Sequence, residues 1–104
     1  MVKVDIEYSC EGKYLESIDI SGHANSAPYP HDLVCAAVSA ISVGALNALE
    51  NDENYDVLVE DGHVYLKANK NLSEHDEIVL ETLIIQLKTI ELSYKNTIKI
   101  KERK

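Results

Sequence analysis

The segment SGHANSAPYPHDLVCAAVSA, which runs from Ser21 to Ala40, carries the pattern on which the predicted fold depends most. It places a histidine, His23, at the end of one element and a cysteine, Cys35, near the start of the next. The residues between them include two prolines, which restrict their own backbone and that of the residue before each. An irregular loop is therefore predicted between the histidine and the cysteine.

A helix is predicted from about Leu33 to Leu49, because apolar residues recur there at helical spacing and Asp32 is a favourable N-cap. Cys35 then lies in the first turn, where free backbone N–H groups and the helix dipole favour a thiolate. The stripe predicted to face the core comprises Leu33, Val34, Ala37, Val38, Ile41, Gly44, Ala45, Ala48 and Leu49. Cys35 lies off this stripe, on a flank that it shares with Ser39, Ser42 and Leu46.

Two interpretations of Cys35 stay open on these patterns. A thiol in the first turn of a helix, away from the apolar stripe, is typical of a reactive cysteine. Free cysteine is also among the most buried residue types, and a buried structural cysteine is usually inert.

The combination of Gly22-His23-Ala24 with the segment Asp32–Ala40 resembles the signature of the ribosomal-processing cysteine proteases, the Prp family. The chain length and the order of elements resemble that family as well. The resemblance implies that Cys35 is the nucleophile and His23 its acid–base partner. Asp32 then either orients His23 or caps the helix. One departure is Pro30, at a loop position where similar proteins tend to have glycine.

The resemblance also implies the substrate and the partners. The substrate expected is the N-terminal extension of large-subunit ribosomal protein number twenty-seven, so the partner is a basic ribosomal protein precursor. A homodimer is implied too. The residues expected to bind the peptide substrate are Gly22, Ala24, His31, Ser39 and Ser42. The loop from Asn25 to Pro30 is expected to close over the bound peptide and exclude water.

Two other kinds of site compete with the protease. Cys35, His23, His31 and Asp32 have ligand atoms that zinc accepts, but no paired-ligand spacing such as Cys-x-x-Cys supports a metal. No metal and no cofactor is therefore expected. The alternative function is a non-catalytic, ribosome-associated binding module in which Cys35 is structural.

Length and composition limit the class of protein. With 104 residues, 45% hydrophobic and 27% charged, the chain is expected to form one domain over residues 1–104. Its net charge of −8 disfavours direct binding of nucleic acid. No apolar run is long enough for a membrane span and no signal peptide is apparent, so a cytoplasmic protein with reduced thiols is expected.

The remaining patterns predict an α+β domain with the element order ββαββαβ, in which two helices pack on an antiparallel-rich sheet. Asp61-Gly62 predicts a type I′ hairpin turn, and Ser73-Glu74-His75-Asp76 resembles a capping box that opens a helix reaching about Ser93. His63 is expected to face solvent, and the terminal residues 102–104 are expected to fray. The predicted strands are Val2–Tyr8, Tyr14–Ile20, Tyr55–Glu60, His63–Ala68 and Thr97–Lys101.

The second helix carries two apolar stripes, which predicts contacts on two sides. The main stripe runs from Val79 to Tyr94 along the face expected to meet the sheet. The shorter stripe, nearly opposite, consists of Ile78, Ile85 and Leu92. Its partner is either the first helix or, as the family resemblance suggests, another copy of the chain.

Overall fold

A computed structural model of the protein describes residues 1–9, 14–22 and 31–104, without the side chain of His31. A short 3-10 turn, Asp52–Asn54, precedes the third strand. The order ββαββαβ is confirmed. The elements are β1 (Val2–Tyr8), β2 (Leu15–Ser21), α1 (His31–Ala48), β3 (Tyr55–Glu60), β4 (His63–Ala68), α2 (Glu74–Ser93) and β5 (Ile98–Arg103).

The five strands form one mixed sheet in the order β3-β4-β2-β1-β5. Three neighbouring pairs are antiparallel, and β1 and β5 are parallel. The register of β1 and β2 places Val4 opposite Ile20 and Ile6 opposite Ile18. Their alternating side chains give the sheet one apolar face, as predicted for an antiparallel-rich α+β domain.

The core lies between that apolar face and the two helices. Ile6 of β1 and Leu87 of α2 are fully buried, and Val34 and Val38 of α1 pack into the same cluster. Both helices therefore cover the same face of the sheet and contact each other. In the part of the chain that the structure describes, no helix is long and apolar enough to cross a membrane.

The orientation of α1 corrects the predicted stripe. Leu33, predicted to face the core, is exposed, whereas Ser42 on the predicted flank is fully buried. Its hydroxyl donates to the carbonyl of Val38 at 2.6 Å, which removes the cost of burying a polar group. Since the predicted stripe is rich in Ala and Gly, it offers little apolar area, and the helix turns its Cys35 flank further inward.

Asp76 joins three elements at the opposite end of α1. Ser73 caps α2 as predicted, accepting a hydrogen bond from the Asp76 backbone N–H. The Asp76 carboxylate is fully buried and accepts from the Glu50 backbone N–H and the Tyr55 hydroxyl, both at 2.9 Å. Burial, together with this carboxylate, raises the pKa of Tyr55 well above its usual value. The phenol therefore remains a donor throughout the neutral range.

Two smaller predictions need correction. Only Gly62 of the β3–β4 turn has a positive φ, +77°, so the turn is not type I′, which requires a positive φ at Asp61 as well. The end of the chain does not fray before residue 104, because Glu102 and Arg103 belong to β5. The Arg103 guanidinium forms an ion pair at 3.2 Å with Glu7, which lies opposite it in β1.

Replacing Asp76 by alanine should lower the free energy of unfolding by about 3 kcal/mol, because it leaves two donors without an acceptor. Urea denaturation measures the change. The matched control is Glu74→Ala, which removes an exposed carboxylate from the same helical turn and should cost less than about 0.5 kcal/mol. Equal losses in the two variants would contradict a structural role for the buried carboxylate.

Candidate active site

A cavity of about 190 Å³ lies between the first turns of α1 and the strand ends beneath them. Cys35 lines it, together with residues from every strand except β5. The helix contributes Cys35, Ala36, Val38, Ser39 and Ser42; the strands and the β3–β4 turn contribute Val2, Ile20, Gly22, Glu60, Asp61, Gly62, His63 and Val64. Cys35 therefore lies at a concave surface that a ligand can enter.

Cys35 is half-buried and packs against the hydrophobic core. It is a free thiol. The first turn of α1 lies just before Cys35 in the chain. It brings free backbone N–H groups and the positive end of the helix dipole to this part of the molecule, an arrangement that favours a nucleophilic thiol.

The two serines predicted to bind substrate lie along the cavity, with different environments. Ser39 is exposed, one turn after Cys35. Ser42 is fully buried, and its hydroxyl hydrogen is committed to the Val38 carbonyl. Ser39 can donate a hydrogen bond to a ligand in this cavity, whereas Ser42 supplies part of the wall.

Gly22 forms the strand end that leads towards His23. Its φ is +102°, and a Cβ built there would lie 2.5 Å from the Met1 carbonyl oxygen. Its N–H donates to the Gly62 carbonyl at 3.0 Å, which extends the pairing of β2 with β4. The backbone before His23 is thus held from two sides, at a position where only glycine fits without strain.

The start of α1 corrects the prediction for Asp32. The helix begins at His31 rather than Leu33, so Asp32 lies inside its first turn and Cys35 is the fifth helical residue. The exposed Asp32 carboxylate accepts a hydrogen bond from the Leu33 backbone N–H at 2.8 Å. At the i to i−4 spacing, the Cys35 N–H belongs to the helical ladder, and the free N–H groups are those of the turn before it.

Three of the predicted site residues lie wholly or partly outside the described residues. His23 and Ala24 belong to the segment 23–30, and the same holds for the predicted cover from Asn25 to Pro30. The backbone of His31 begins α1, but its side chain is not described.

The histidines whose side chains are described do not supply a base for Cys35. His63 bonds to Asp19 at 2.8 Å, on the face of the sheet opposite the helices, because it alternates with the inward Val64. His75 bonds to the Ala48 carbonyl at 2.8 Å, at the far end of α1. The prediction that His63 faces solvent is wrong in part: the side chain is half-buried and paired. Its partner depends on the pairing of β2 with β4, which local patterns do not reveal.

Sequence patterns missed two acidic residues among those that line the cavity. Glu60 and Asp61, at the end of β3 and in the turn, line it together with Cys35. No lysine or arginine is among the described residues that line it. The signal was the run of acidic residues around the Asp61-Gly62 turn, but only the tertiary structure brings this turn to α1.

Known proteins resemble this chain both in sequence and in fold. The sequence model of a family described as cysteine protease Prp matches residues 1–99. The chain belongs to the Prp family of cysteine proteases. The ribosomal processing cysteine protease Prp of Staphylococcus aureus strain Mu50 is 34% identical over 104 residues, covering 96% of this chain and 97% of that protein. The Prp protein of Bacillus subtilis strain 168 is 31% identical over 108 residues, covering 96% of each chain.

Solved structures of Prp proteins share the fold. The crystal structure of the essential S. aureus Prp with a covalently linked product peptide matches with a TM-score of 0.84 and 31% identity. It covers 99% of this chain and 100% of that one. A second S. aureus Prp structure, in complex with a substrate peptide, matches with a TM-score of 0.81 and 28% identity over 99% and 100% of the two chains.

Replacing Gly22 by alanine should lower the free energy of unfolding by about 2 kcal/mol and reduce peptide cleavage, because the added methyl group meets the Met1 carbonyl. Gly44→Ala is the matched control. A Cβ at Gly44 in α1 meets nothing within 4 Å, so this change should stabilise the helix by up to about 1 kcal/mol. Thermal unfolding and a cleavage assay measure both variants, and similar effects of the two changes would refute the constraint at Gly22.

Proposed function

We propose that this chain is a cysteine endopeptidase that uses Cys35 as nucleophile and His23 as its acid–base partner. The observation that carries the proposal is the position of Cys35, half-buried at the start of α1 in a cavity whose floor includes Gly22. Gly22 is the residue before His23 in the sequence, and this adjacency supports His23 as the partner of Cys35. The membership of the chain in the Prp family supports the same activity.

The proposed reaction has two stages. The Cys35 thiolate attacks the scissile carbonyl carbon, and His23, as imidazolium, gives its proton to the leaving amine as the peptide bond breaks. Neutral His23 then takes a proton from water, whose oxygen attacks the thioester carbonyl. Breakage of the carbon–sulfur bond releases the carboxylic acid product and regenerates the thiolate and the imidazolium.

The donors for the oxyanion follow from the start of the helix. The free N–H groups of α1 precede Cys35, so we place the oxyanion against the backbone of the first turn. Asp32 holds one of these groups, the Leu33 N–H. This bond supports a role for Asp32 in satisfying a free N–H group at the start of the helix rather than in orienting His23.

The proposed substrate is the N-terminal extension of large-subunit ribosomal protein number twenty-seven. Ribosomal proteins are usually basic, and this chain carries a net charge of −8, so attraction favours the encounter. The same charge opposes direct binding of RNA or DNA. The relatives named as ribosomal processing proteases support this substrate class, and we place the reaction in the cytoplasm, where ribosomal proteins are made.

Mass spectrometry of the extended ribosomal protein, incubated with the purified chain, tests the proposed reaction. The wild-type chain should remove the extension, and Cys35→Ala should leave it intact, with cleavage reduced more than about 1000-fold. Cys10→Ala is the control, because it removes the other thiol and should cleave normally. His23→Ala should slow both cleavage and iodoacetamide labelling of Cys35.

The same experiment distinguishes the alternative, a non-catalytic ribosome-associated module with a structural cysteine. That module predicts no cleavage by the wild-type chain and slow labelling of Cys35. It also predicts normal ribosome association in Cys35→Ala. Cleavage that persists in Cys35→Ala would refute the assignment of the nucleophile.

We also propose that the chain forms a homodimer through the outer side of α2. Ile78, Ile85 and Leu92 are 59%, 56% and 76% exposed, so α1 does not cover this stripe. Their spacing of seven residues keeps them in one line along the helix, which suits pairing with the same stripe of a second copy. Beside them a groove of about 350 Å³ lies between the helices, next to Gly44.

Replacing Ile85 and Leu92 together by glutamate should weaken the dimer at least tenfold, because four charges would enter an apolar contact. Sedimentation velocity over a concentration series measures the change. Asn71→Glu adds charge in an exposed loop outside α2 and should leave the dimer unchanged. A wild-type chain that sediments as a monomer at all concentrations would contradict this part of the proposal.

A further inference from the structure

The β3 strand forms one edge of the sheet and has an open side. In the described residues, its neighbour is β4 alone. The Asn69 N–H donates to the Asn54 carbonyl just before β3. Asn54 and Asn69 continue the register of β3 and β4, so the even-numbered residues of β3 are those whose backbone groups bond to β4. In antiparallel pairing the direction of the backbone groups alternates. The N–H and C=O groups of Val57 and Val59 therefore point away from the sheet.

The side chains of the same two residues are also uncovered. Val57 lies opposite Leu66 and Val59 opposite Val64, on the face of the sheet that the helices cover elsewhere. Leu66 is buried, yet Val57 is 48% and Val59 is 52% exposed. The helical layer therefore covers Tyr55 at the start of β3 but not Val57 and Val59 further along the strand. We call Val57, Val59 and their outward backbone groups the β3 edge.

The β3 edge runs directly into the cavity that contains Cys35. Glu60, the last residue of β3, lines that cavity. At about 3.3 Å per residue, Val59 and Val57 lie within about 10 Å of Glu60 along the strand. An extended chain paired with β3 would therefore reach the cavity after a few residues.

The charge around the β3 edge selects the occupant. The segment from Asn51 to Gly62 contains five acidic residues and no basic ones. Pairing two copies of β3 about Leu58 would place Asp56 opposite Glu60 twice, and like charges directly opposite each other destabilise a sheet. A cationic chain would instead meet these carboxylates favourably.

We propose that the peptide substrate adds to the sheet as a sixth strand, along the β3 edge, before it enters the Cys35 cavity. Apolar substrate side chains would face Val57 and Val59, and basic ones would face Asp56 and Glu60 on the other side. The Val57 and Val59 backbone groups hold the substrate extended, as in other cases of strand addition. The occupant is thus an extended segment of a basic protein with alternating apolar residues. This inference rests on the proposed role of Cys35.

Backbone methylation of the substrate tests strand addition without changing the protein. The probe is a fluorescent synthetic peptide of the proposed ribosomal extension and the residues after it, with one N-methyl group at each position in turn. Binding to the Cys35→Ala chain is measured by fluorescence anisotropy. Strand addition predicts that methylation weakens binding about tenfold at every second residue on one side of the scissile bond. Uniform effects, or no binding of the unmodified peptide, would overturn the proposal.

Two substitutions of Val59 give the matching test on the protein. Val59→Pro removes the outward N–H without removing a bond to β4, and proline is tolerated at such edge positions. Val59→Thr keeps the N–H and the branched shape. The proline variant should bind the peptide about tenfold more weakly than the threonine variant. Equal binding by two folded variants counts against strand addition, as does an effect of Val59→Pro on sedimentation rather than on peptide binding.

The two proposals fail in different ways. If Cys35 is not the nucleophile, the wild-type chain and Cys35→Ala do not differ in cleavage, while the alternating pattern of binding to Cys35→Ala persists. If strand addition is wrong, the wild-type chain cleaves the peptide and iodoacetamide labels Cys35, but the alternating pattern is absent. The methylation series does not depend on the stability of any Val59 variant.

Discussion

The close approach of Gly22 to the Met1 backbone is the constraint on which the site depends. The carbonyl oxygen of Met1 occupies the space where any other residue would place its Cβ. The Gly22 N–H is bound at the same time to Gly62, so the ends of β1, β2 and β4 are drawn together there. These ends form the floor of the cavity, and α1 crosses above it. The position of Cys35 over this floor follows from the packing of Val34 and Val38 on either side of it in the sequence.

The second structural determinant is the unequal coverage of the sheet. Both helices pack on one face, and the buried core residues of the sheet lie mainly on β1 and β2, with Tyr55 the buried residue of β3. A helical layer that ends early leaves a strand with open backbone groups and exposed valines. Such an edge is a liability in a protein that has no use for it, since it can pair with other chains. Its acidic side chains limit pairing with identical copies and leave the edge open to chains of opposite charge.

Much of the fold could be predicted because it depends on local sequence patterns. Period-two alternation predicted the strands, and Ser73 predicted the start of α2, since both depend on residues close in sequence. The rotation of α1 could not be predicted this way. Ser42 becomes a core residue only because Val38 lies one turn away and accepts its hydroxyl hydrogen. Helical spacing predicts which residues share a face, but it does not rank a stripe of alanines against a flank with better packing partners.

Predictions that depended on long-range pairing failed for a related reason. The partner of His63 is Asp19, 44 residues earlier, and the β3–β4 turn comes to the Cys35 cavity only through the strand order β3-β4-β2-β1. The motif around Cys35 predicted the cysteine and the two serines along the cavity, because a single helix carries all three. It could not predict that Glu60 and Asp61, at the end of β3 and in the turn after it, line the same cavity.

Those residues bear on which substrates the cavity favours. Glu60 and Asp61 line the same cavity as Cys35, and no lysine or arginine is among its described lining residues. The β3 edge that leads to the cavity carries acidic side chains as well, so a chain that follows this edge meets carboxylates along its path. Attraction between opposite charges therefore favours a basic substrate both in the encounter and along the strand, whereas an acidic segment would be repelled.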